Sequence, residues 1–154
     1  MVYIESSIFS YLTAKPSRDI VLAAHQQITY DWWQFEKPYF DVYSSQVTIN
    51  EISAGDTNAA ERRLDATESI VLLDISTESS YLAQALLSEG ALPHKASLDA
   101  LHIAIAAVHQ IRYLLTWNCK HIANATMRPI IERIIHNAGF TAPIIATPEE
   151  LQGE

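Results

Sequence analysis

The chain contains a single cysteine, Cys119, among 154 residues. A lone thiol excludes an internal disulfide and every zinc motif that needs two or more thiolates, so metal chemistry here has to use oxygen ligands or histidine. Glycine is scarce as well, at four residues, and no glycine-rich phosphate loop occurs. Long apolar runs are missing. The longest, Ile103 to Val108, falls far short of the roughly 20 residues that span a bilayer, and no membrane partner is expected. No basic leader precedes an apolar segment at the N-terminus, where Glu5 interrupts early, so the sequence reads as having no secretory signal and a cytoplasmic location. Basic residues are few, 10 against 18 acidic, for a formal charge of −8. That balance argues against a surface that attracts phosphate backbones everywhere, and any nucleic-acid contact must be local. Arg62-Arg63, Lys95 and Lys120 are the candidate patches, although scattered cations of this kind are more often solvated surface groups.

What the chain does have is apolar content, 49%, at a length suited to one domain spanning residues 1–154 with a full core. Val2 to Ile4 reads as a first strand. Ser17 is a candidate N-cap for a long helix from about Arg18 toward Phe35, closed by Pro38. Asp41 to Ser44 reads as a second strand and Gln46 to Ala54 as a helical turn, broken at Gly55-Asp56. Thr57 would cap a polar helix over Asn58 to Glu68. The run Ile70 to Ile75 carries the strongest strand signal in the chain. Thr77 would cap a helix through Leu87 that Gly90 and Pro93 end, and the helix of Asp99 follows. Tyr113 to Thr116 reads as a strand, Thr126 to Asn137 as a helix ending at Gly139, Ile144-Ile145 as a last strand, and Pro148-Glu149-Glu150 as the first turn of a short helix. Short strands with little alternation, alternating with helices, predict an α/β fold: a three-layer α/β/α sandwich around a central parallel sheet of about five strands.

In such a fold polar residues at the carboxyl ends of strands line the ligand-binding edge. Val2-Tyr3-Ile4 runs into Glu5-Ser6-Ser7, and the strand ending at Thr116 runs into Trp117-Asn118-Cys119-Lys120-His121. Glu51 and Asp99 project from helices that begin on that same edge, so Glu5, Glu51, Asp99 and Asn118 are expected to converge. Clustered carboxylates repel one another, and a divalent cation relieves the repulsion directly. An oxygen-rich site of this kind suits Mg²⁺ or Mn²⁺, and such an ion polarises a phosphoryl oxygen and activates water. The reaction this implies is phosphodiester hydrolysis.

Four blocks in order carry a family likeness: Tyr3-Ile4-Glu5-Ser6-Ser7, Val47-Thr48-Ile49-Asn50-Glu51-Ile52, Asp99-Ala100-Leu101-His102 and Leu115-Thr116-Trp117-Asn118. Over nearly its whole length the sequence resembles the PIN domain, and within it the toxin ribonucleases of the VapC type. The resemblance implies a metal-dependent endoribonuclease, the toxin of a type II toxin–antitoxin pair, with Mg²⁺ or Mn²⁺ as cofactor, RNA as substrate, an antitoxin as partner and a homodimer as a further assembly. By resemblance Glu5, Glu51 and Asp99 are metal-site acids, Ser6 or Ser7 is a hydrogen-bonding neighbour, and Asn118 occupies a fourth, commonly acidic position. Two positions depart from the pattern. Glu5 stands where most members carry Asp, and its extra methylene is expected to loosen the site. Asn118 supplies no charge, which should weaken a second metal ion more than the first. The same departures support a different reading, a PIN-fold module with a weakened site that binds RNA or a partner protein.

The remaining polar residues divide between site and scaffold. Asp99 suits the first turn of a helix for electrostatic reasons alone, although clustered titratable groups mark sites. His102, three residues on and on the same helix face, is read first as a structural histidine bonded to a carbonyl or carboxylate. His121 and Lys120 lie where they could touch substrate phosphate, and Thr116 either orients a water or ends its strand. The aromatic run Tyr30 to Phe35 is read as core packing, with one of Trp32 and Trp33 exposed at a partner surface.

Overall fold

The computed structural model describes residues 1–153. Five short strands form one parallel sheet: β1 (Val2–Ile4), β2 (Val42–Ser45), β3 (Val71–Leu73), β4 (Tyr113–Leu115) and β5 (Ile144–Ala146), in the spatial order β3-β2-β1-β4-β5. Register pairs Val2 with Val42 on one side and with Tyr113 on the other. Seven α-helices connect and cover the sheet: α1 (Ser6–Thr13), α2 (Ile20–Asp31), α3 (Gln46–Ile52), α4 (Thr57–Asp65), α5 (Thr77–Ser88), α6 (Ser97–Val108) and α7 (Arg128–Asn137).

Alternation along the strands sorts the core into two layers. Tyr3, Leu114 and Ile145 face one side and pack with Leu82, Leu86, Ile103, Ile105, Ile131 and Ile135 of α5, α6 and α7. Val2, Ile4 and Leu115 face the other side and pack with Ile8 and Phe9 of α1 and with Trp32 beyond α2. Helix α3 bridges the layers, since Val47 joins the first and Ile52 the second. This is the α/β/α sandwich expected from the sequence. The chain steps outward from β1 to β2 and β3, then crosses to β4 and β5, so the topological switch point where open α/β sheets bind ligands lies between the ends of β1 and β4.

Several local expectations shift. Helix α1 goes unpredicted because its N-cap is Glu5, outside the usual Ser, Thr, Asp and Asn set; its carboxylate accepts from Ser7 N at 3.1 Å. At three other helix starts the cap moves to a neighbour: Asp19 rather than Ser17, Asp56 rather than Thr57, and Ser76 rather than Thr77. In each case the neighbour's side chain accepts the bond from the first-turn N–H. The run Ile70 to Ile75 yields only Val71–Leu73 at the sheet edge, with Val71 and Leu72 exposed. Its β-branched composition reflects strand propensity and not burial. Gly90 and Gly139 end α5 and α7 with φ of +82° and +88°, the left-handed residue of a Schellman end. Residues 148–150 form a turn and no helix.

After Asp31 the helix widens into a π-helical turn over Trp32–Glu36 and tightens into a 3₁₀ turn over Lys37–Tyr39. Trp32 is thereby buried, its Nε1 donating to Leu151 O at 2.8 Å. Trp33 is half-buried, edge-on to Phe9 at 5.7 Å between ring centroids, with the Lys37 ammonium 4.6 Å from its own ring centroid. The exposed aromatics of the run are therefore Tyr30 and Phe35 and not a tryptophan. No described helix is long and apolar enough to cross a membrane.

Candidate metal centre

Glu5 leaves β1 at the switch point and is buried, 4% exposed. A buried carboxylate has to be paired or hydrogen-bonded, and four donors surround this one. Ser6 Oγ donates to Oε1 at 2.6 Å; Ser7 N at 3.1 Å, Thr116 Oγ1 at 2.7 Å and Ser7 Oγ all donate to Oε2. The Glu5 carboxylate folds back onto the first turn of α1 and caps it. Thr116, fully buried at the end of β4, thus holds Glu5 and also accepts from Asn118 N at 2.9 Å.

Glu51, on α3, faces the same space. Its Oε1 lies 3.2 Å from Ser6 Oγ and is hydrogen-bonded to His102 Nε2. His102, on α6 and fully buried, uses its other nitrogen on Tyr3, with Nδ1 to Oη at 2.7 Å; Tyr3 Oη in turn lies 2.6 Å from Ser45 Oγ. Burial works against a charge on His102. The neighbouring Tyr3 oxygen, the hydrogen bond to Glu51 and the negative charges of Glu5 and Glu51 outweigh it, and the pKa is pushed up from 6.5 to about 10. With both ring nitrogens protonated every donor is used: Nε2–H to Glu51, Nδ1–H to Tyr3, and the Tyr3 hydroxyl to Ser45. The imidazolium is the counter-charge that clustered acids require.

One ligand atom each from Glu5, Glu51 and His102 lies within 4.8 Å of the other two, the single group of three or more metal-donor side chains that converges among the described residues. The two carboxylates of this set could hold a divalent metal, whereas His102 in its protonated form is their counter-charge and would have to lose a proton to act as a ligand.

Asp99 occupies the first turn of α6, and its Oδ2 accepts from His121 Nδ1 at 2.8 Å, both side chains partly buried. It stands outside the group just described. Asn118 Oδ1 accepts from His121 N at 3.1 Å, so the Asn118 side chain folds the loop that carries His121. A second line of contacts therefore runs from Asp99 through His121 and Asn118 to Thr116, where it meets Glu5. Lys120 is exposed and makes no ion pair among the described residues. The expected residues thus fall into two joined sets: Glu5, Glu51, Ser6, Ser7, Thr116 and His102 in one, Asp99, His121 and Asn118 in the other. Sequence reasoning missed Tyr3 and Ser45, which anchor His102. A tyrosine inside an otherwise apolar strand is the available signal, since a buried phenol seeks a hydrogen-bond partner.

Among solved structures the chain is similar to a chain of a toxin–antitoxin complex from Klebsiella pneumoniae, with a TM-score of 0.59 at 18% identity over 98% of this chain and 100% of that one. It is also similar to a chain of VapBC2 from Rickettsia felis bound to a DNA fragment from its promoter, with a TM-score of 0.60 at 14% identity over 96% and 98%. No family model and no curated protein matches the chain. The likeness is one of fold, and it extends over essentially the whole chain.

Proposed function

We propose that the protein is a metal-dependent endoribonuclease and the toxin of a toxin–antitoxin pair. The observation that carries this reading is the convergence of buried Glu5 and half-buried Glu51 near the β1–β4 switch point, in a fold shared with chains of toxin–antitoxin complexes. Glu5 and Glu51 would hold Mg²⁺ or Mn²⁺ together with Asp99, which projects from the same face of α6 as His102. Asn118, whose carbonyl oxygen keeps a second lone pair, would assist. When bound, such a cation polarises a phosphoryl oxygen and makes water a better nucleophile.

The chain's own residues fix the acids for that task. Ser6, Ser7 and Thr116 lock the Glu5 carboxylate, and His102 orients Glu51 from behind, as outer hydrogen bonds commonly do for metal-binding side chains. His121 holds Asp99. Substitution Asp99→Ala is expected to abolish Mg²⁺-dependent cleavage of a single-stranded RNA while the thermal midpoint stays near that of the parent. Full activity in that variant refutes the assignment.

A second reading rests on His102. Because the imidazolium already balances Glu51, the fold is complete without a metal, and the site would serve a binding module as well. Addition of Mn²⁺ separates the two. At about 100 times the dissociation constant a bound ion stabilises the folded state by roughly 2.7 kcal/mol, and an unchanged melting curve favours the module.

A further inference from the structure

One helical turn along α1 from Ser7 stands Tyr11, on the same face of the helix. It belongs to a trio of rings beside the carboxylates. The imidazole of His25, on α2, lies flat on the indole of Trp117, with centroids 4.1 Å apart and planes inclined by 13°. Tyr11 leans against both, at 5.9 Å from Trp117 and 6.1 Å from His25. The indole is fixed in place: its Nε1 donates to Thr29 Oγ1 at 2.7 Å, and that hydroxyl donates to His25 O at 2.6 Å. Its backbone N donates to Ser7 Oγ at 2.8 Å, and Ser7 Oγ donates to Glu5. The stack is therefore two hydrogen bonds from the Glu5 carboxylate.

Trp117 is buried beneath the stack, whereas Tyr11 and His25 are half-buried. Neither ring nitrogen of His25 has a hydrogen-bond partner among the described residues, and neither is buried without one, so the polar edge of the outermost ring is open to solvent. Lys15 and Arg18, both exposed, lie on the adjoining α1–α2 connection. Gln26, the neighbour of His25, ties that connection down, donating to Lys15 O at 3.1 Å and accepting from Ser17 N at 2.9 Å. A rigid aromatic surface with a free polar edge, flanked by cations on a chain of net charge −8, is how a protein engages an unstacked base and the backbone beside it.

We propose that His25 and Tyr11, backed by Trp117, form a stacking subsite for one unpaired base of single-stranded RNA next to the phosphate presented to Glu5 and Glu51. This rests on the ribonuclease reading and adds to it the place where a flanking nucleotide is held. The test is binding of the full chain to fluorescently labelled single-stranded RNA decamers, followed by anisotropy with Ca²⁺ in place of Mg²⁺, with a single abasic nucleotide walked along the sequence. One abasic position should weaken binding to the parent protein roughly 5- to 150-fold, the range of a lost base–aromatic stack. His25→Ala should weaken binding of the intact decamer by a similar factor and lose sensitivity to that position, and His25→Phe should restore both. A flat abasic profile for a parent protein that binds RNA overturns the subsite alone. So does a His25→Ala variant that keeps the parent's profile. A parent protein that binds none of the RNAs overturns the subsite and the ribonuclease reading together.

Discussion

The proton on His102 should govern how the metal-free fold responds to pH. An unfolded imidazole titrates near 6.5, and in the folded chain His102 titrates near 10. Below about pH 6.5 both states carry the proton and the stabilisation is fully present. Between the two values only the folded state keeps it, so unfolding free energy falls by about 1.4 kcal/mol per pH unit. The contribution is lost as pH rises through the folded value. From pH 7 to pH 9 the decline should amount to roughly 2 to 3 kcal/mol. Urea melts of EDTA-treated protein at pH 7, 8 and 9 measure it, with the slope on denaturant unchanged. His102→Gln removes the titrating group while its amide can still donate to Glu51, so its stability, whatever its absolute level, should be flat over the same range. The groups facing His102 are Tyr3, Glu5 and Glu51. A divalent cation competes with that proton for Glu51, so Mn²⁺ affinity should climb with pH in the same window, toward tenfold per unit. A parent protein whose stability is constant or rising between pH 7 and 9, or a variant that declines in parallel with it, refutes the reasoning.

Tyr3→Phe deletes the hydroxyl between His102 Nδ1 and Ser45 Oγ and leaves buried partners unpaired, at a cost of roughly 1 to 3 kcal/mol in urea melts; a loss below about 0.5 kcal/mol would show that the pair does not depend on it. Titration calorimetry with Mn²⁺ should give one ion per chain. Asn118 contributes no charge, and a second dication would have to settle beside the His102 imidazolium; two equally tight sites would contradict that count.

The layer order and the edge on which the site lies were legible because they depend on coarse features. Strand and helix alternate in the chain, and the polar residues at Glu5 and after Thr116 fall where the apolar runs of β1 and β4 stop. Finer features depended on competition between neighbours that a single sequence leaves open. Ser76 and Thr77 are both good caps, and only the path of the chain decides that Ser76 accepts from Ser79 N. Helix α1 is rich in Ser, Thr and aromatic residues, which have modest helical preference. It forms because Ile8 and Phe9 bury against the sheet and because Glu5 caps it. The run Ile70 to Ile75 shows the reverse, a strong local signal that ends as an exposed edge.

Of the four residues expected to converge, Glu5 and Glu51 do so, with His102 beside them and with Asp99 and Asn118 outside the group, and the reason is geometric. A strand end places its next residue on the rim whatever that residue is, so Glu5 and Asn118 follow from β1 and β4. Which oxygens then meet depends on side-chain torsions and on hydroxyl donors from other segments. Three hydroxyls and a backbone N–H turn Glu5 back onto α1. His102 is the sharpest instance. Three residues after Asp99 it suggests a structural role, which it has in its bond to Tyr3 from the adjacent strand. The same ring carries the charge that lets Glu5 and Glu51 approach each other. A histidine that supports the fold and balances the acids serves both ends with one proton, and for that reason its structural and functional readings were never alternatives.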